Sequence, residues 1–218
     1  MNDLLARLAA IDTCALSDAL DKLGLAGQVT GLRREAGEGR VAGVAVTLKL
    51  GTGVPPPGPP SHLGTRAIEM ATSDTVIVIE QRSGVEAGCW GGLLTRGAKR
   101  AGVLAVVADG PVRDIDEARE LGFPIFTNQL TCLTARGRVV EKATNVPVRI
   151  GEVIVSPGDY LVADGSAVVF IAPERATEVA EAAEAIVARE TMMIAEIEKG
   201  TPMSAVLGAN YENMLEND

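Results

Sequence analysis

The sequence predicts an α/β protein with a long C-terminal helix. In the middle of the chain, short runs of β-branched and aliphatic residues alternate with segments of helical periodicity. A β-rich stretch follows, and a long alanine-rich segment then begins at Pro173 and ends at Gly200. Strands that alternate with helices favour a sheet covered by helices, and 218 residues are enough to bury its core. We expect residues 1–218 to form one compact domain.

In the first half of the chain, apolar spacing and turn residues indicate the elements. Apolar residues recur at helical spacing over 4–11 and again over 16–23, where Gly24 ends the second helix. The elements predicted next are a strand over 41–50, a helix over 63–71 and a strand over 75–80. The segment from Pro55 to Pro60 is proline at every position except Gly58, which predicts a surface loop.

In the second half, one strand leads directly into a strong turn signal. The predicted elements are a helix over 93–101, a strand over 103–108, a short helix to Leu121, β-like segments over 139–150, 152–155, 160–163 and 167–171, and a helix from Pro173 to about Lys199. Asp109-Gly110-Pro111 follows the strand over 103–108 and is predicted to end it in a turn.

The composition sets limits on function. Hydrophobic residues make up 47% of the chain and charged residues 22%, which is typical of a folded globular protein. The net charge of −9, with lysine and arginine scattered, argues against nucleic acid as a partner. No segment reaches the roughly 18 uncharged apolar residues of a membrane span, and the N-terminus does not resemble a signal peptide. We therefore expect a cytoplasmic protein that does not bind membranes.

The stretch that ends at Arg113-Asp114 is the most informative about chemistry. A hydrophobic strand ends abruptly before this pair, and ligands bind α/β proteins at the carboxyl ends of strands. The guanidinium of Arg113 suits a substrate carboxylate or enolate, and the carboxylate of Asp114 suits Mg²⁺ or Mn²⁺. On spacing alone, the alternative is that the pair is solvated and that Asp114 only caps the next helix.

The glycines before the helix over 93–101 indicate a candidate anion site. Helix N-termini attract anions because their first N–H groups are unpaired and the helix dipole points the same way. The backbone amides of Gly92, Leu93 and Leu94 could therefore hold a substrate carboxylate. The alternative is that Gly91 and Gly92 only permit a tight turn.

The remaining reactive side chains give weaker signals. The three cysteines lack the spacing of a disulfide framework or a zinc site. We therefore expect all three to be buried, as small hydrophobic side chains of a protein in a reducing compartment. These are Cys14, Cys89 and Cys132. His62, the single histidine, is either a general acid/base or a surface residue that begins a helix.

Several segments, taken in order, carry a family resemblance. They are DTCALSDALDKLGLAGQVTGL, RVAGVAVTLK, AIEMATSDTVIVIE, WGGLLTRGAKRAGVLAVVADGPVRDIDEARELGFPIF and NVPVRIGEVIVSPGDYLVADGSAVVFI. Together they resemble the RraA-like family, which includes class II 4-hydroxy-4-methyl-2-oxoglutarate/4-carboxy-4-hydroxy-2-oxoadipate aldolases and oxaloacetate decarboxylases. The resemblance covers nearly the whole chain. It implies a compact α/β/β domain with a central mixed sheet, assembled as a homotrimer or a dimer of trimers (a hexamer).

The resemblance also implies roles for individual residues. Arg113 matches the arginine that contacts the substrate oxygen, and Asp114 matches the metal-binding aspartate. The amides of Leu93 and Leu94 match those that hold the pyruvoyl carboxylate. The implied cofactor is a divalent metal, Mg²⁺ or Mn²⁺, and the implied substrate is a small 2-oxo acid.

Two features of the family pattern need separate mention. In the aldolases a glutamate from a neighbour's C-terminal helix contributes to the site, and here Glu190 is the first candidate and Glu196 the second. Aldolases of the family often carry an acidic residue where this chain has Gly92, which removes a carboxylate that would order metal-bound water. The branch that inhibits ribonuclease E usually lacks the metal-binding aspartate, so Asp114 favours an enzyme.

The predicted function is that of a metal-dependent lyase. We expect an aldolase or decarboxylase that breaks a carbon–carbon bond in a 4-hydroxy-2-oxo acid or in oxaloacetate and releases pyruvate. A Schiff-base mechanism through Lys49 or Lys99 is the chemical alternative. Two other functions stay open: a non-catalytic regulator that binds an RNA-processing enzyme, and a family enzyme that acts on an unrelated small molecule.

Overall fold

The structure, a computed structural model, describes residues 3–58 and 61–208. The last two positions of the predicted proline loop, Pro59 and Pro60, lie outside the described residues. The helices within the described part of the chain are Asp3–Ala10 (α1), Thr13–Lys22 (α2), Thr65–Glu69 (α3), Gly92–Arg100 (α4), Ile115–Glu120 (α5), Ala176–Glu198 (α6) and Met203–Val206 (α7). None of these helices is both long and apolar enough to cross a bilayer.

The strands alternate with the helices in the middle of the chain and cluster after α5. They are Gln28–Val29 (β1), Arg33–Ala36 (β2), Val41–Gly51 (β3), Thr75–Glu80 (β4), Ala105–Val112 (β5), Ile125–Leu130 (β6), Val140–Thr144 (β7), Val148–Ile150 (β8), Val153–Val155 (β9), Tyr160–Ala163 (β10) and Val168–Ile171 (β11). All but two of them join one sheet in the order β1-β11-β10-β3-β4-β5-β6-β2, with β7 paired to β3. The remaining two, β8 and β9, pair with each other.

The main sheet is mixed, as predicted. Strands β3 to β6 run parallel, whereas β2, β7, β10 and β11 pair antiparallel with their neighbours. Because side chains alternate across a strand, Ile77 and Ile79 of β4 pack on the side of α3 to α5, and Val76 and Val78 pack on the side of β8 and β9. Both faces of the parallel strands are thus buried.

The helices lie on one face of the sheet and the small hairpin lies on the other. Helices α1, α2 and α6 share a core with β10 and β11, through residues such as Leu8, Leu16, Val162 and Ala183. On the opposite face, β8 and β9 cover the sheet. This arrangement of helices, main sheet and hairpin is the predicted α/β/β fold with a long C-terminal helix.

The turn predicted at residues 109–111 is wrong. Strand β5 continues through it to Val112, and the register with β6 shifts between Ala108 and Pro111. Gly110 has a φ of 155°, and Pro111 lacks the N–H that a regular ladder would use, so both residues suit an irregularity within a strand. Arg113 therefore directly follows the last residue of β5, with no turn between the sheet and the arginine.

Other boundaries differ in smaller ways. The strands predicted over 41–50 and 75–80 are confirmed, but the helix predicted over 63–71 is only α3. The β-like segment over 139–150 divides into β7 and β8, and the long helix α6 follows a short 3₁₀ turn at Pro173–Arg175. Strands β1, β2 and β6 were not predicted.

Candidate active site

The candidate site forms where the segment before α4 joins the end of β5. Cys89 N–H donates to Pro111 O at 2.8 Å, and Arg113 N–H donates to Trp90 O at 3.0 Å. Trp90 and Val112 thereby form a parallel bridge. These backbone bonds hold the start of α4 beside the residues that follow β5, at the carboxyl end of the parallel strands.

Asp114 has an unusual backbone conformation and an unusual hydrogen bond. Its φ of 56° and ψ of 39° lie in the left-handed region, which aspartate tolerates better than most residues. It occupies the N-cap position of α5, but its side chain makes no cap bond there. Instead Oδ2 accepts the N–H of Gly92 at 3.0 Å. The carboxylate therefore faces the start of α4 and does not cap α5, the helix that follows it.

The Arg113 side chain lies against Gly91 and Asp114, at the corner where the start of α4 meets the end of β5. Its Nε donates to Asp114 Oδ1 at 3.2 Å, and within the described residues no other nitrogen of this guanidinium has a hydrogen-bond partner. A Cβ atom at Gly91 would lie 3.0 Å from Arg113 Cγ, and one at Gly88 would lie 3.1 Å from Arg113 Cδ. Glycine at both positions lets the arginine stem pack directly on the backbone, and the outer edge of its guanidinium stays available to a ligand.

The first turn of α4 presents unpaired donors. Gly91, the N-cap residue, has an extended backbone and supplies no side-chain cap. The N–H groups of Leu93 and Leu94 have no acceptor among the described residues, as expected in the first turn of a helix. Trp90 Nε1 donates to the buried Thr95 hydroxyl at 2.9 Å and anchors this turn to the core. The two amides are therefore fixed and open to an anion.

One carboxylate at this corner was missed by the sequence analysis. Glu117, on α5, places Oε2 1.6 Å from the point where a Cβ of residue 92 would stand. The same point lies 3.4 Å from Asp114 Cβ. The sequence signal that could have found Glu117 is its position three residues after Asp114 in a helix, since residues three apart lie on one helical face.

The donor set is compatible with a hydrated divalent cation. Residues 3–58 and 61–208 contain no group of three or more histidine, cysteine or acidic side chains able to hold a metal ion. Mg²⁺ nevertheless keeps much of its water and is commonly bound through one or two carboxylates. Asp114 and Glu117 could supply these two carboxylates, and both are partly exposed, with 39% and 31% of the side chain accessible.

The two C-terminal glutamates lie elsewhere in the chain. Glu190 is on α6, where burial and then the charges of Asp12 and Asp18 raise its pKa. Glu196 forms hydrogen bonds with Lys199 and Thr201 near the end of the same helix. Within one chain the structure thus brings together Arg113, Asp114 and the start of α4, but not these glutamates.

Asp109 also belongs to a different place. Its carboxylate accepts Asn128 Nδ2 at 2.7 Å and the N–H of Gly151 at 2.9 Å. It borders a polar cleft of about 400 Å³ that Arg82 and Gln129 also line. Asp109 thus links β5 to the β8–β9 turn, away from Asp114.

His62 borders a cleft beside the candidate site, whereas the lysines of the Schiff-base alternative are bound to groups outside it. His62 is exposed before α3 and lines a cleft of about 340 Å³ together with Leu93 and Leu94. Lys49 Nζ lies 3.4 Å from Glu80, and Lys99 donates to the carbonyl of Leu121. The predicted alternative of a surface histidine next to a helix agrees with this position.

The cysteines only partly match the prediction. Cys89 is buried, and burial raises the pKa of its thiol to about 12, which makes it unreactive. Cys14 and Cys132 are exposed, so the expectation that all three are buried is wrong. Cys14 lies on the open side of α2 between the buried residues Thr13 and Ala15, and Cys132 lies in the loop after β6, where the neighbouring residues are half-buried or exposed.

Comparison with known proteins identifies the family. The family model described as RraA-like (Aldolase/RraA) matches residues 13–170. The chain belongs to the RraA-like family. A Deinococcus radiodurans protein provisionally named 4-hydroxy-4-methyl-2-oxoglutarate aldolase is 32% identical over 155 residues, which is 71% of this chain and 90% of that protein.

Two further similarities define the fold and the extent of the RraA-like match. Streptomyces coelicolor RraAS2, described as an unusual member of the RNase ES inhibitor RraA protein family, has a crystal structure with a TM-score of 0.76 and 27% identity. That similarity covers 88% of this chain and 96% of RraAS2. Protein DlpA of Legionella pneumophila is 28% identical over 209 residues, or 93% of this chain, and the chain spans only 33% of the length of DlpA.

Proposed function

We propose that this protein is a divalent-metal-dependent carbon–carbon lyase that releases pyruvate from a 4-hydroxy-2-oxo acid or from oxaloacetate. The observation that carries the proposal is the convergence of three groups on one corner. These are the Arg113 guanidinium, the Asp114 carboxylate and the unpaired amides of Leu93 and Leu94. The similarity to a provisionally named aldolase supports the same class of reaction.

The residues of the corner suit the parts of a 2-oxo acid. The amides of Leu93 and Leu94 bind the carboxylate, because a helix N-terminus favours negative charge. Arg113 faces the keto oxygen, on which charge develops as the bond breaks. A divalent cation, held by Asp114 through its carboxylate, would supply Lewis acidity toward the keto group.

The bond that breaks joins C3 and C4 of the substrate. In a 4-hydroxy-2-oxo acid, a base takes the proton of the C4 hydroxyl, C4 becomes a carbonyl, and the electron pair of the bond moves to the keto oxygen. In oxaloacetate, C4 leaves as carbon dioxide and the electron pair moves the same way. Either route gives the enolate of pyruvate, which Arg113 stabilises until C3 is protonated.

Substitution of the two central residues tests the proposal. We expect Arg113→Ala and Asp114→Asn each to lower kcat/KM for pyruvate release at least about 10²-fold, because the first removes a positive charge that faces the developing enolate and the second removes the carboxylate that would hold the cation. The assay couples pyruvate to lactate dehydrogenase, with oxaloacetate and a panel of 4-hydroxy-2-oxo acids as substrates. Asp116→Asn, on the exposed side of α5, is the matched control. Near-normal turnover by either variant would refute the assignment.

The same assay separates the metal mechanism from a Schiff base. A metal-dependent activity is lost with a chelator and returns with added Mg²⁺ or Mn²⁺. A Schiff-base enzyme keeps its activity with a chelator and is inactivated by borohydride in the presence of substrate. The positions of Lys49 and Lys99, each bound to a group outside the corner, favour the metal mechanism.

Two other functions have specific support. The similarity to RraAS2 supports a regulator that binds an RNA-processing enzyme. Absence of pyruvate release from every substrate, together with binding to a purified ribonuclease, would favour that function. The cleft of about 340 Å³ beside Leu93 supports a family enzyme with a different small substrate, which a wider panel of 2-oxo acids would reveal.

We also propose that the active form is a homotrimer or a dimer of trimers in which Glu190 completes a neighbouring site. Glu190 lies away from Asp114 within its own chain, so only another subunit could bring the two together. The end of α6 carries exposed apolar side chains, Met192, Ile194 and Ile197. Ile194 and Ile197 are three residues apart and share one face of the helix, and exposed apolar groups on one face favour a subunit contact.

A further inference from the structure

A cleft of about 340 Å³ opens beside the two amides that we assign to the substrate carboxylate. Leu93 and Leu94, which carry these amides, also line the cleft, together with Gly97 one turn further along α4. The opposite side is formed by α3 and the segment before it, through His62, Thr65, Ile68 and Glu69. A substrate whose carboxylate is bound by the amides therefore has this cleft next to it.

The surface of the cleft is mainly hydrocarbon. Ile68 and Leu94 contribute aliphatic side chains, and Leu93 is 88% exposed. Among the described residues that line the cleft, none is a lysine or an arginine, and the one carboxylate is that of Glu69. A second carboxylate on the substrate would lose water here without gaining a cation, and Glu69 would repel it. An apolar group would instead cover aliphatic surface that is otherwise in contact with water.

Gly97 keeps the cleft open. It lies within α4, where glycine is unfavourable relative to alanine because glycine loses more backbone freedom on folding. Its φ is not in the left-handed region, so its backbone does not require glycine. A Cβ atom at residue 97 would meet Ile68 Cδ1 at 3.7 Å, an ordinary van der Waals distance. Neither conformation nor packing thus demands glycine at this position, and the missing side chain widens the space between α3 and α4.

We propose that this cleft receives the group attached to C4 of the substrate, and that this group is alkyl or aryl and not a second carboxylate. The inference rests on the proposed lyase function and narrows it to 4-hydroxy-2-oxo acids that give pyruvate and an apolar aldehyde. In that reaction a base takes the proton of the C4 hydroxyl, the bond between C3 and C4 breaks, and C4 becomes the aldehyde carbon. The electron pair of the bond passes to the enolate of pyruvate, which is then protonated at C3.

Two substrates of similar shape test the charge of the C4 group. 4-Hydroxy-5-methyl-2-oxohexanoate carries an isopropyl group on C4, and 4-hydroxy-2-oxoglutarate carries a carboxylate of similar size. We expect kcat/KM for pyruvate release to be at least about tenfold higher with the isopropyl substrate. Lengthening an unbranched C4 group from methyl to propyl should raise kcat/KM about fourfold per methylene, because each methylene is buried in the cleft.

Substitutions at opposite sides of the cleft carry the test to the protein. Gly97→Leu fills the cleft and should lower the ratio of kcat/KM for the propyl over the methyl substrate about tenfold. Glu69→Lys supplies a cation and should lower the ratio for the isopropyl over the carboxylate substrate about tenfold. Both ratios compare two substrates with one preparation, so a loss of folded protein does not change them.

The matched controls place the same changes outside the cleft. Ala101→Leu adds the leucine side chain at the exposed position that follows α4, and Glu38→Lys reverses an exposed charge between β2 and β3. Both controls should keep the wild-type ratios.

The outcomes separate this inference from the proposed function. If the wild type releases pyruvate but cleaves the carboxylate substrate at least as well as the isopropyl substrate, the inference is refuted and the lyase proposal stands. Wild-type ratios in both Gly97→Leu and Glu69→Lys would have the same meaning. Release of pyruvate from none of the substrates would overturn the lyase proposal and this inference together. A preference for the apolar substrates that both cleft variants reduce supports the inference.

Discussion

Asp114 combines a left-handed backbone with a carboxylate that reaches a different helix. Its φ of 56° turns the chain sharply between the end of β5 and the start of α5, and this turn aims Oδ2 at the N–H of Gly92. For most L-residues this conformation costs about 1–2 kcal/mol, and glycine, asparagine and aspartate tolerate it best. The residue that we propose to bind a cation therefore also determines the path of the chain.

Backbone strain at Asp114 leads to a stability prediction. We expect Asp114→Ala to lower the free energy of unfolding by about 1–2 kcal/mol relative to Asp114→Asn, because alanine resists a positive φ whereas asparagine tolerates it. Urea denaturation followed by the fluorescence of Trp90, the single tryptophan, measures this difference. Asp114→Gly is the control, since glycine relieves the strain without a side chain. Equal stability of the glycine and alanine variants would assign the loss to the missing carboxylate.

Among the elements, α2 is tied to the β10–β11 hairpin by one carboxylate. Asp164 accepts the buried Thr13 hydroxyl at 2.6 Å and the Thr13 N–H at 2.9 Å, and it also accepts the N–H of Ser166. Burial raises the pKa of Asp164, but these hydrogen bonds outweigh it and leave the pKa below its ordinary value. Asp164 thus joins the helical layer to the sheet while it is ionised.

Removal of the Thr13 hydroxyl should weaken this link in a pH-dependent way. We expect Thr13→Val to lower the free energy of unfolding by about 1–3 kcal/mol at pH 7, because it deletes a hydrogen bond to an ionised group. The folded-state pKa of Asp164 is lowered, so this stabilisation is complete above about pH 5 and is lost as the pH falls below about 4. Denaturation curves of the wild type and Thr13→Val at pH values from about 3 to about 8 measure how the difference in their free energies of unfolding depends on pH. Thr13→Ser keeps the hydroxyl, so its free energy of unfolding should stay close to that of the wild type. If the difference in free energy of unfolding between the wild type and Thr13→Val grows at low pH, the assignment is contradicted.

At the scale of the whole molecule, the layers separate the residues that we propose to act together. Helix α6 packs with α1 and α2 over β10 and β11, whereas α4 and α5 pack over the parallel strands. Glu190 and Asp114 consequently belong to different parts of the helical layer. A shared site for the two requires a second copy of the chain.

Mixed oligomers test whether Glu190 acts on a neighbouring subunit. We expect Asp114→Asn and Glu190→Gln to be nearly inactive alone and their randomly mixed oligomers to regain about a quarter of wild-type activity, since each site draws one residue from each of two subunits. Light scattering establishes the size of the oligomer, and the pyruvate assay measures the recovery. Glu196→Gln replaces Glu190→Gln in a parallel mixture. No recovery in either mixture would exclude a site shared in this way.

The sequence alone was enough to predict the α/β class, the strands over 41–50 and 75–80, and the long C-terminal helix. These features depend on apolar periodicity and on glycine and proline, which act over a few neighbouring residues. The same local logic predicted a turn at residues 109–111, and it was wrong because pairing with β6 extends β5 through an irregular register. The pairing partner of a strand is not encoded within the strand itself.

Some residues of the candidate site could likewise be predicted from the sequence, and others could not. Arg113 and Asp114 could be chosen from the sequence because they directly follow a strand, and the start of α4 because of its glycines. The proximity of Glu117 to Gly92 was decided only by the tertiary structure, through the packing of α4 beside α5. Side chains on separate elements meet at distances set by how those elements pack, and a spacing along the chain carries no measure of that contact.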